Sequence, residues 1–332
     1  MDEKIKVSLP QTTLNILKKD CVDFLILKEN GKPNMNAFVN TLILNFYEAF
    51  SASEETLHQD LKNAISIVPD YYKDKVLNNV LKILTKKSEE DVDKKSTATL
   101  SFKPTKISQT AVMHIEQVAI QNESISSFYR RMFNAYASKP KNEREKIIHK
   151  ETFLALQRAI KLGVQACIKL DKNHILNELS VYSIVPAKDE LFNYILGYVP
   201  SNNVTVRLAK IKSVSLLSST ISIPTENKTL LDRQIACAPQ YPMYKSDKHL
   251  IKVELTDAGI KLFEKIYLYR PNPIAIEGKV YTFDCSASQA LYYFERFGNN
   301  ALIISPKKLG IDMRNYHYFA LKKYNSFYKE RI

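Results

Sequence analysis

Two stretches in the first half of the chain alternate strictly between apolar and polar residues, which is the period of a half-buried β-strand. They are residues 4–9 and 97–103, and a proline closes each of them (Pro10 and Pro104). Because successive side chains of a strand point to opposite faces, each stretch has one apolar and one polar face. We therefore predict two strands that each need a partner to cover the apolar face.

Two helical patterns follow each strand. Residues 12–27 carry an apolar stripe, and Asn34 is the predicted N-cap of a second helix that runs to Phe50. After the second strand the same order recurs, and residues 124–128 align with residues 34–38. This indicates an internal repeat. The order strand, helix, turn, helix resembles the ribbon-helix-helix motif, whose strands pair antiparallel; the pairing is either within one chain or between two chains.

In ribbon-helix-helix repressors the outward residues of the paired strands enter the major groove of DNA. The first strand offers Lys4, Lys6 and Ser8 on that face, whereas the second offers small hydroxyls with Lys103 at its end. Two interpretations stay open: the paired strands dock on nucleic acid, or they serve as a scaffold or dimer contact.

The second half of the chain begins with a predicted helix over residues 151–161, with Arg158 and Lys161 on its far side. Strands are predicted at residues 163–170, 179–186, 192–198, 204–208 and 212–223, and residues 225–248 are predicted to be irregular. The remaining pattern to residue 304 is strand, helix, two strands, helix, strand, which is a ferredoxin-like order. The aromatic and basic residues 316–328 are expected to cap this unit or to contact a partner chain. Two further helical patterns fall within residues 54–87, and charged linkers are predicted at residues 86–95 and 139–144.

In the predicted hairpin, Thr205 and Arg207 fall on the face opposite Val204 and Val206. A cation beside tyrosines on a small curved sheet suits a phosphate or an exposed base. A solvated arginine on a plain hairpin is the alternative.

The surrounding motifs resemble the WYL domain of bacterial regulators. Asn193-Tyr194-Ile195 takes the place of the name-giving triplet, with Val185-Pro186 before it, Leu196-Gly197 after it, and a motif from Arg207 to Ile211 at the closing strand. Tyr182 stands where the family often has an arginine. The resemblance implies an Sm/SH3-like β-barrel with Tyr182, Tyr194, Arg207 and Lys210 near the ligand.

Composition adds a class of partner. The 332 residues suffice for two or three domains, and the formal net charge of +13 accompanies 19 Tyr and 15 Phe. Cations that meet phosphates and rings that stack on unpaired bases suit single-stranded nucleic acid. We expect a cytoplasmic protein without a membrane partner, because no apolar run is long enough to span a bilayer and the first residues are no signal peptide.

The sequence offers little catalytic chemistry. Its 7 Gly form no phosphate-binding loop, its 6 His are scattered, and its 4 Cys include no CxxC pair. Asp284-Cys285-Ser286 has nucleophilic atoms without a base nearby in sequence. We expect a protein that is not an enzyme and that has no metal and no cofactor.

These patterns together predict an α+β chain of three domains: tandem ribbon-helix-helix-like (1–138), WYL barrel (148–224) and ferredoxin-like carboxy-terminal extension that dimerises (249–332). The chain resembles accessory proteins encoded beside type VI-D CRISPR effectors, which are RNA-guided RNases. The resemblance implies a homodimer that binds single-stranded RNA and raises RNA cleavage by that effector. The alternatives are a DNA-binding transcriptional repressor with a ligand-sensing WYL domain, and a signalling scaffold that binds only protein.

Overall fold

Helices and antiparallel sheets build the chain, which divides into two units, Met1–Lys150 and Glu151–Ile332. The computed structural model describes residues 4–90, 97–122, 124–170 and 174–329. The architecture is α+β, as predicted. The three domain boundaries stay predictions, because the division into two units does not test them.

The first unit holds one two-stranded ribbon and six helices among its described residues. These elements are β1 (Ile5–Pro10), α1 (Gln11–Asp23), α2 (Met35–Ala64), α3 (Asp70–Glu90), β2 (Thr97–Phe102), α4 (Gln109–Asn122), α5 (Ile125–Ala137) and α6 (Lys141–Ile148).

The strands β1 and β2 pair antiparallel within this chain, which is one of the two arrangements that the sequence left open. Ile5 lies opposite Phe102 and Val7 opposite Leu100. The apolar face of the ribbon is buried, and Phe102 contacts the buried ring of Tyr129 from α5 edge to face, with ring centroids 5.5 Å apart. The repeat therefore buries its own ribbon.

Each repeat caps its second helix as the sequence predicts. The Asn34 side chain accepts a hydrogen bond from the Ala37 N–H (3.1 Å) at the start of α2. Ser124 accepts one from the Ser127 N–H (3.1 Å) at the start of α5. These bonds satisfy backbone donors that the first turn of a helix leaves without a partner.

Three predicted boundaries in this unit are wrong. The helix that begins after Asn34 continues to Ala64 instead of ending at Phe50, since no proline or glycine interrupts residues 51–64. The predicted linker at residues 139–144 lies partly in α6. The predicted linker at residues 86–95 lies partly in α3, and its residues 91–95 are outside the described residues. Arg144 of α6 binds the buried Asp20 carboxylate (Nε–Oδ2 2.6 Å), a contact that local sequence does not reveal.

The second unit contains two sheets and five helices among its described residues, and α7 begins at the boundary. The elements are α7 (Lys150–Leu162), β3 (Val164–Lys169), β4 (Ile175–Pro186), β5 (Asn193–Val199), β6 (Asn202–Arg207), β7 (Ser213–Thr220), α8 (Thr225–Cys237), β8 (Ile251–Leu255), α9 (Asp257–Lys265), β9 (Pro273–Glu277), β10 (Val280–Phe283), α10 (Ala287–Phe294), β11 (Ala301–Ser305) and α11 (Lys307–Lys329).

The five-stranded sheet has the order β6-β5-β4-β3-β7, and all neighbouring strands are antiparallel. Among the described residues no ladder joins β6 to β7, so the sheet is open between these two strands. One face of this sheet, which includes Ile195 and Val206, packs against Leu156 and Ala159 of α7 and forms an apolar core with them.

Helix α8 covers the other face, and this corrects the prediction that residues 225–248 are irregular. Pro224 is the N-cap residue, and Glu226 lies in the first turn, where a negative charge interacts favourably with the helix dipole. Its buried residues are Asn227, Leu230, Leu231 and Gln234. Leu231 joins an apolar cluster with Leu196 of β5 and Ile223.

The four-stranded sheet has the order β11-β8-β10-β9. Helices α9 and α10 cover one face, and an apolar core forms around Val253, Phe263, Phe283 and Tyr293. The aromatic tail is helical: α11 buries Leu309 and Met313 near its start and exposes most of its later residues. In the part of the chain that the structure describes, no helix combines the length and the apolarity needed to cross a bilayer.

Candidate nucleic-acid interface

The eight residues that sequence nominates for nucleic-acid binding fall in two units. Lys6 lies in β1 of the first unit, and Lys4 directly precedes that strand. The second unit contains the other six, which are Arg158, Lys161, Tyr182, Tyr194, Arg207 and Lys210. Each group has its own structural setting.

The outer face of the ribbon is polar and carries positive charge. Lys6 lies opposite Ser101, and Ser8 opposite Thr99. Lys4, Lys6 and Ser101 are exposed. Because the β2 side chains are short, the lysines are the longest groups that the ribbon offers, and they suit phosphate contacts more than base reading.

Polar side chains on α2 and α5 hold this ribbon in place. The Nδ2 of buried Asn40 on α2 donates to the Lys103 carbonyl (3.0 Å), just beyond the end of β2. The Nε of Arg130 on α5 donates to the Ser8 carbonyl (2.9 Å) in β1. Each helix thus binds the strand that belongs to the other repeat.

In the second unit, the pairing of β5 with β6 places Arg207 beside a tyrosine. Tyr194 lies opposite Arg207, and Leu196 opposite Thr205, so these side chains share the face that α8 covers. Val206 points to the apolar core on the other face. The alternation along β6 is therefore as the sequence predicts.

Helix α8 is fixed to β6 by buried amides. The Gln234 Nε2 donates to the Thr205 Oγ1 (2.7 Å) and to the Pro239 carbonyl (2.7 Å). About two turns earlier in α8, the Asn227 Nδ2 donates to the Asn203 Oδ1 (3.0 Å). Since buried polar groups cost free energy unless they are paired, these bonds specify where α8 lies on the sheet.

The two nominated tyrosines take part in this packing. The Tyr182 hydroxyl donates to the Asp232 Oδ1 on α8 (2.6 Å), and this hydrogen bond to a carboxylate raises the pKa of Tyr182. Tyr194 packs against the cluster of Leu196, Ile223 and Leu231. Both rings are half-buried, so part of each ring surface is committed to α8 or its neighbours.

Arg207 lies over an aromatic ring at the end of β6. Its guanidinium carbon is 3.3 Å from the centroid of the buried Phe192 ring. Stacking of this kind orients the planar guanidinium, and its N–H donors lie at the edges of the plane. Such a group matches the bidentate geometry of a phosphate.

Lys210 is the last residue of a one-turn 3-10 helix, Leu208–Lys210, that directly follows Arg207. Leu208 and Ala209 are buried, whereas Lys210 is exposed. The turn therefore anchors itself in the core and presents its last residue to solvent beside the end of β6.

Arg158 and Lys161 are exposed on α7, whose buried residues Leu156 and Ala159 pack against the apolar face of the sheet. Tyr194 and Arg207 belong to the opposite face. The structure thus groups Tyr182, Tyr194 and Arg207 on one face of the sheet, with exposed Lys210 three residues beyond Arg207, and leaves the α7 pair on the other side.

Sequence reasoning missed Asp232 and Gln234, because it assigned no helix to residues 225–248. The available signal was weak: Pro224, followed by Leu230, Leu231 and Ile235 at helical spacing. In the described ranges, no group of three or more His, Cys, Asp or Glu side chains is arranged to hold a metal ion.

Comparison with known proteins identifies the fold more than the function. No protein-family model matches the chain, and no curated protein matches it. A crystal structure of a CRISPR Cas-related protein aligns with 98% of this chain and 95% of its own, at a TM-score of 0.65 and 18% identity. The proteasome accessory factor B/C (PafBC) of Arthrobacter aurescens aligns with 66% of this chain and 35% of its own, at 17% identity and a TM-score of 0.24, which is too low to support an argument. The chain therefore has the fold of the first of these structures.

Proposed function

We propose that this protein is a non-catalytic, single-stranded RNA-binding accessory protein that enhances RNA cleavage by a type VI-D CRISPR effector. The end-to-end likeness to a CRISPR Cas-related protein supports a role in such a system. The net charge of +13 supports a polyanionic partner.

We also assign a fold type to each of the three structural parts of the chain. The repeated strands and helices of the first unit are a tandem ribbon-helix-helix module. The five-stranded sheet is a WYL domain of the Sm/SH3-like type, open between β6 and β7. The four-stranded unit is ferredoxin-like, since its order β11-β8-β10-β9 places the first and third strands at the centre.

The observation that carries the RNA-binding proposal is the stacking of Arg207 on Phe192 with exposed Lys210 three residues later. Two cations at one corner of a sheet would bind successive phosphates, while the exposed parts of Tyr182 and Tyr194 would contact bases. Such contacts give affinity with little sequence preference, because every phosphate and every base offers the same surfaces.

A salt series tests the proposal. We expect fluorescence anisotropy to show that single-stranded RNA binds more tightly than duplex DNA of the same sequence. A length of about 20 nucleotides is enough to span several phosphate contacts. The logarithm of the affinity should fall linearly with the logarithm of salt concentration. In a cleavage assay the protein should raise the rate of the purified effector. No change in that rate would reject the accessory role.

A DNA-binding repressor is the second candidate, and the ribbon favours it. The outward face of β1 and β2, with Lys4 and Lys6 exposed, has the form of a ribbon that docks in the major groove and binds its phosphates. Preference for a palindromic duplex over single-stranded RNA in the same salt series would support this candidate and reject the first.

We also propose that the protein forms a homodimer through α11. Beyond Met313 this helix exposes aromatic side chains on several faces, and these are Tyr316, Tyr318, Phe319, Tyr324, Phe327 and Tyr328. Large exposed aromatic residues clustered on one helix are typical of a surface that a partner covers. We propose a second copy of α11 as the partner, because aromatic rings pack favourably against one another.

A further inference from the structure

A cavity of about 250 Å³ lies within the second unit. Its walls come from the loop after β4, the end of α8, the loop between α9 and β9, and α10. A single water molecule needs only about 10–15 Å³, so the cavity has room for a small organic molecule. Its described lining contains none of the eight residues nominated from the sequence.

Hydrogen bonds fix the walls of this cavity. The Lys188 Nζ donates to the Ala236 carbonyl (3.0 Å), and the Tyr269 N–H donates to the Asp189 Oδ2 (2.8 Å). The Arg270 guanidinium donates to the Phe263 carbonyl (3.1 Å). A cavity whose walls are held in this way is preformed, which lowers the entropic cost of binding a ligand.

The charges that line the cavity favour an anion. Lys188 and Arg270 are the two cations of the lining, and Asp189 is its one carboxylate among the described residues. Asp189 already accepts the Tyr269 N–H. A phosphate group near Lys188 and Arg270 would therefore meet a net positive charge and several N–H donors.

Two amide oxygens of the lining lack a donor. The Oε1 atoms of Gln240 and Gln289 are buried and have no hydrogen-bond partner among the described residues. Gln289 as a whole is only 2% exposed. Because a buried acceptor without a partner is unfavourable, a ligand with N–H donors would stabilise this region.

We propose that this cavity binds a nucleoside monophosphate. The phosphate lies beside Lys188 and Arg270. The Gln240 and Gln289 side chains, whose amide oxygens are enclosed, rotate about their terminal bonds so that these oxygens accept from the amino group of the base. Tyr267, which lines the cavity and is 73% exposed, stacks on the base. This site is additional to the RNA-binding surface and does not depend on it.

The site binds its ligand without reacting with it. Cys237 is the one thiol in the described lining, and its Sγ–H donates to the Asp284 carbonyl (2.7 Å). Burial raises the pKa of Cys237, which keeps the sulfur in its weakly nucleophilic thiol form.

Titration calorimetry with AMP, UMP and inorganic phosphate tests the assignment, with thermal unfolding as a second readout. We expect AMP to bind and to raise the melting temperature. UMP, which has no exocyclic amino group, should bind about tenfold more weakly, and inorganic phosphate more weakly still. Equal binding of AMP and inorganic phosphate would overturn the nucleotide assignment.

Two variants and one matched control locate the site. Lys188→Gln should weaken AMP binding about tenfold. Gln289→Leu should abolish the AMP-dependent rise in melting temperature. Without AMP its melting temperature should be nearly unchanged, because removal of an unpaired buried acceptor offsets the loss of the long hydrogen bond from Nε2 to the Tyr269 carbonyl (3.4 Å). Lys261→Gln, an exposed lysine outside the lining, should bind AMP normally.

RNA binding separates this inference from the proposed function. Lys188→Gln should bind single-stranded RNA as the unsubstituted protein does. Undiminished AMP binding by both Lys188→Gln and Gln289→Leu would overturn the inference. A parallel loss of AMP and RNA binding in Lys188→Gln would also overturn it, because the cavity would then be part of the RNA surface.

Discussion

Asn40 and Arg130 occupy equivalent positions of the two repeats, and each donates a hydrogen bond to the main chain of the other repeat. The equivalence follows from the alignment of residues 34–38 with residues 124–128. Asn40 binds the Lys103 carbonyl and Arg130 binds the Ser8 carbonyl. The ribbon is therefore held from both sides by helices of the opposite repeat, which makes the first unit one cooperative structure instead of two.

Asn40→Ala should lower the free energy of unfolding by about 2–4 kcal/mol, measured by urea denaturation. The buried amide donates to Asn36 and Lys103 and accepts from the Thr105 N–H (3.0 Å), so its loss leaves several main-chain groups without partners. Asn36→Ala is the control, since this exposed side chain accepts one bond, from the Lys103 N–H. Equal losses for the two variants would contradict the proposed role of Asn40.

Asp20→Ala should destabilise the protein by about 3–5 kcal/mol in the same measurement. Asp20 is fully buried and binds Arg144 through both oxygens and the Tyr136 hydroxyl through one (3.0 Å). Its removal leaves a largely buried guanidinium without its charge partner. Asp23→Ala breaks a more exposed pair with Lys141 and should cost less. A smaller effect at Asp20 than at Asp23 would show that α6 does not depend on the buried pair.

The sequence predicts those parts of the fold that are determined by residues close together in the chain. The alternation of residues 4–9 and 97–103 and the caps at Asn34 and Ser124 are of this kind, and the structure confirms them. The charged sequence of α6 is typical of a linker when it is considered alone. Its helix depends on Asp20, the partner of Arg144, which lies 124 residues away and which local patterns do not reveal. Helix α8 has few apolar residues and is held by amide bonds to β6, which periodicity does not detect.

The candidate site is less predictable than the fold. The resemblance to a known domain predicts that Tyr182 and Arg207 lie near a ligand, but it does not reveal Asp232, to which the Tyr182 hydroxyl donates. The cavity beside Gln289 is formed by four segments that are far apart in sequence. Only tertiary structure brings such segments together, so no local motif marks them.

Tyr293→Phe should flatten the loss of stability at alkaline pH. The Tyr293 hydroxyl donates to the Ile266 carbonyl (2.6 Å), and burial raises the pKa of Tyr293 to about 12. An unfolded tyrosine has a pKa of about 10. The folded-state pKa is the higher one, so the contribution is fully present below about pH 10 and is lost as pH rises towards 12. Urea denaturation from about pH 8 to about pH 11.5, which crosses the unfolded pKa and approaches the folded one, measures the slope. The exposed Tyr267→Phe variant should keep the slope of the unsubstituted protein, and an unchanged slope in Tyr293→Phe would contradict the prediction.

Arg207→Ala should weaken binding to single-stranded RNA about tenfold, measured by fluorescence anisotropy at fixed salt. Arg207→Lys keeps the charge but loses the stacking on Phe192, so its affinity should fall between those of Arg207→Ala and the unsubstituted protein. The slope of affinity against salt should decrease by about one in Arg207→Ala alone.

The control for Arg207 is Lys252→Ala, which removes an exposed cation from the four-stranded sheet. We expect it to bind RNA with nearly unchanged affinity. If the two alanine variants lose the same affinity, net charge and not the stacked arginine determines binding, and the side of the sheet near Arg207 is not the RNA site.

Helix α11 provides the last test, which concerns assembly. Phe319 and Phe327 are 64% and 48% exposed and lie eight positions apart, a spacing that keeps both near one side of the helix. Changing both to lysine places charges in the proposed interface, where desolvation and repulsion oppose association. Light scattering should then report the mass of one chain instead of two at a concentration where the unsubstituted protein is dimeric. Lys322→Ala, on the same helix, should leave the dimer intact; a dimer that persists in the double variant would show that α11 is not the contact.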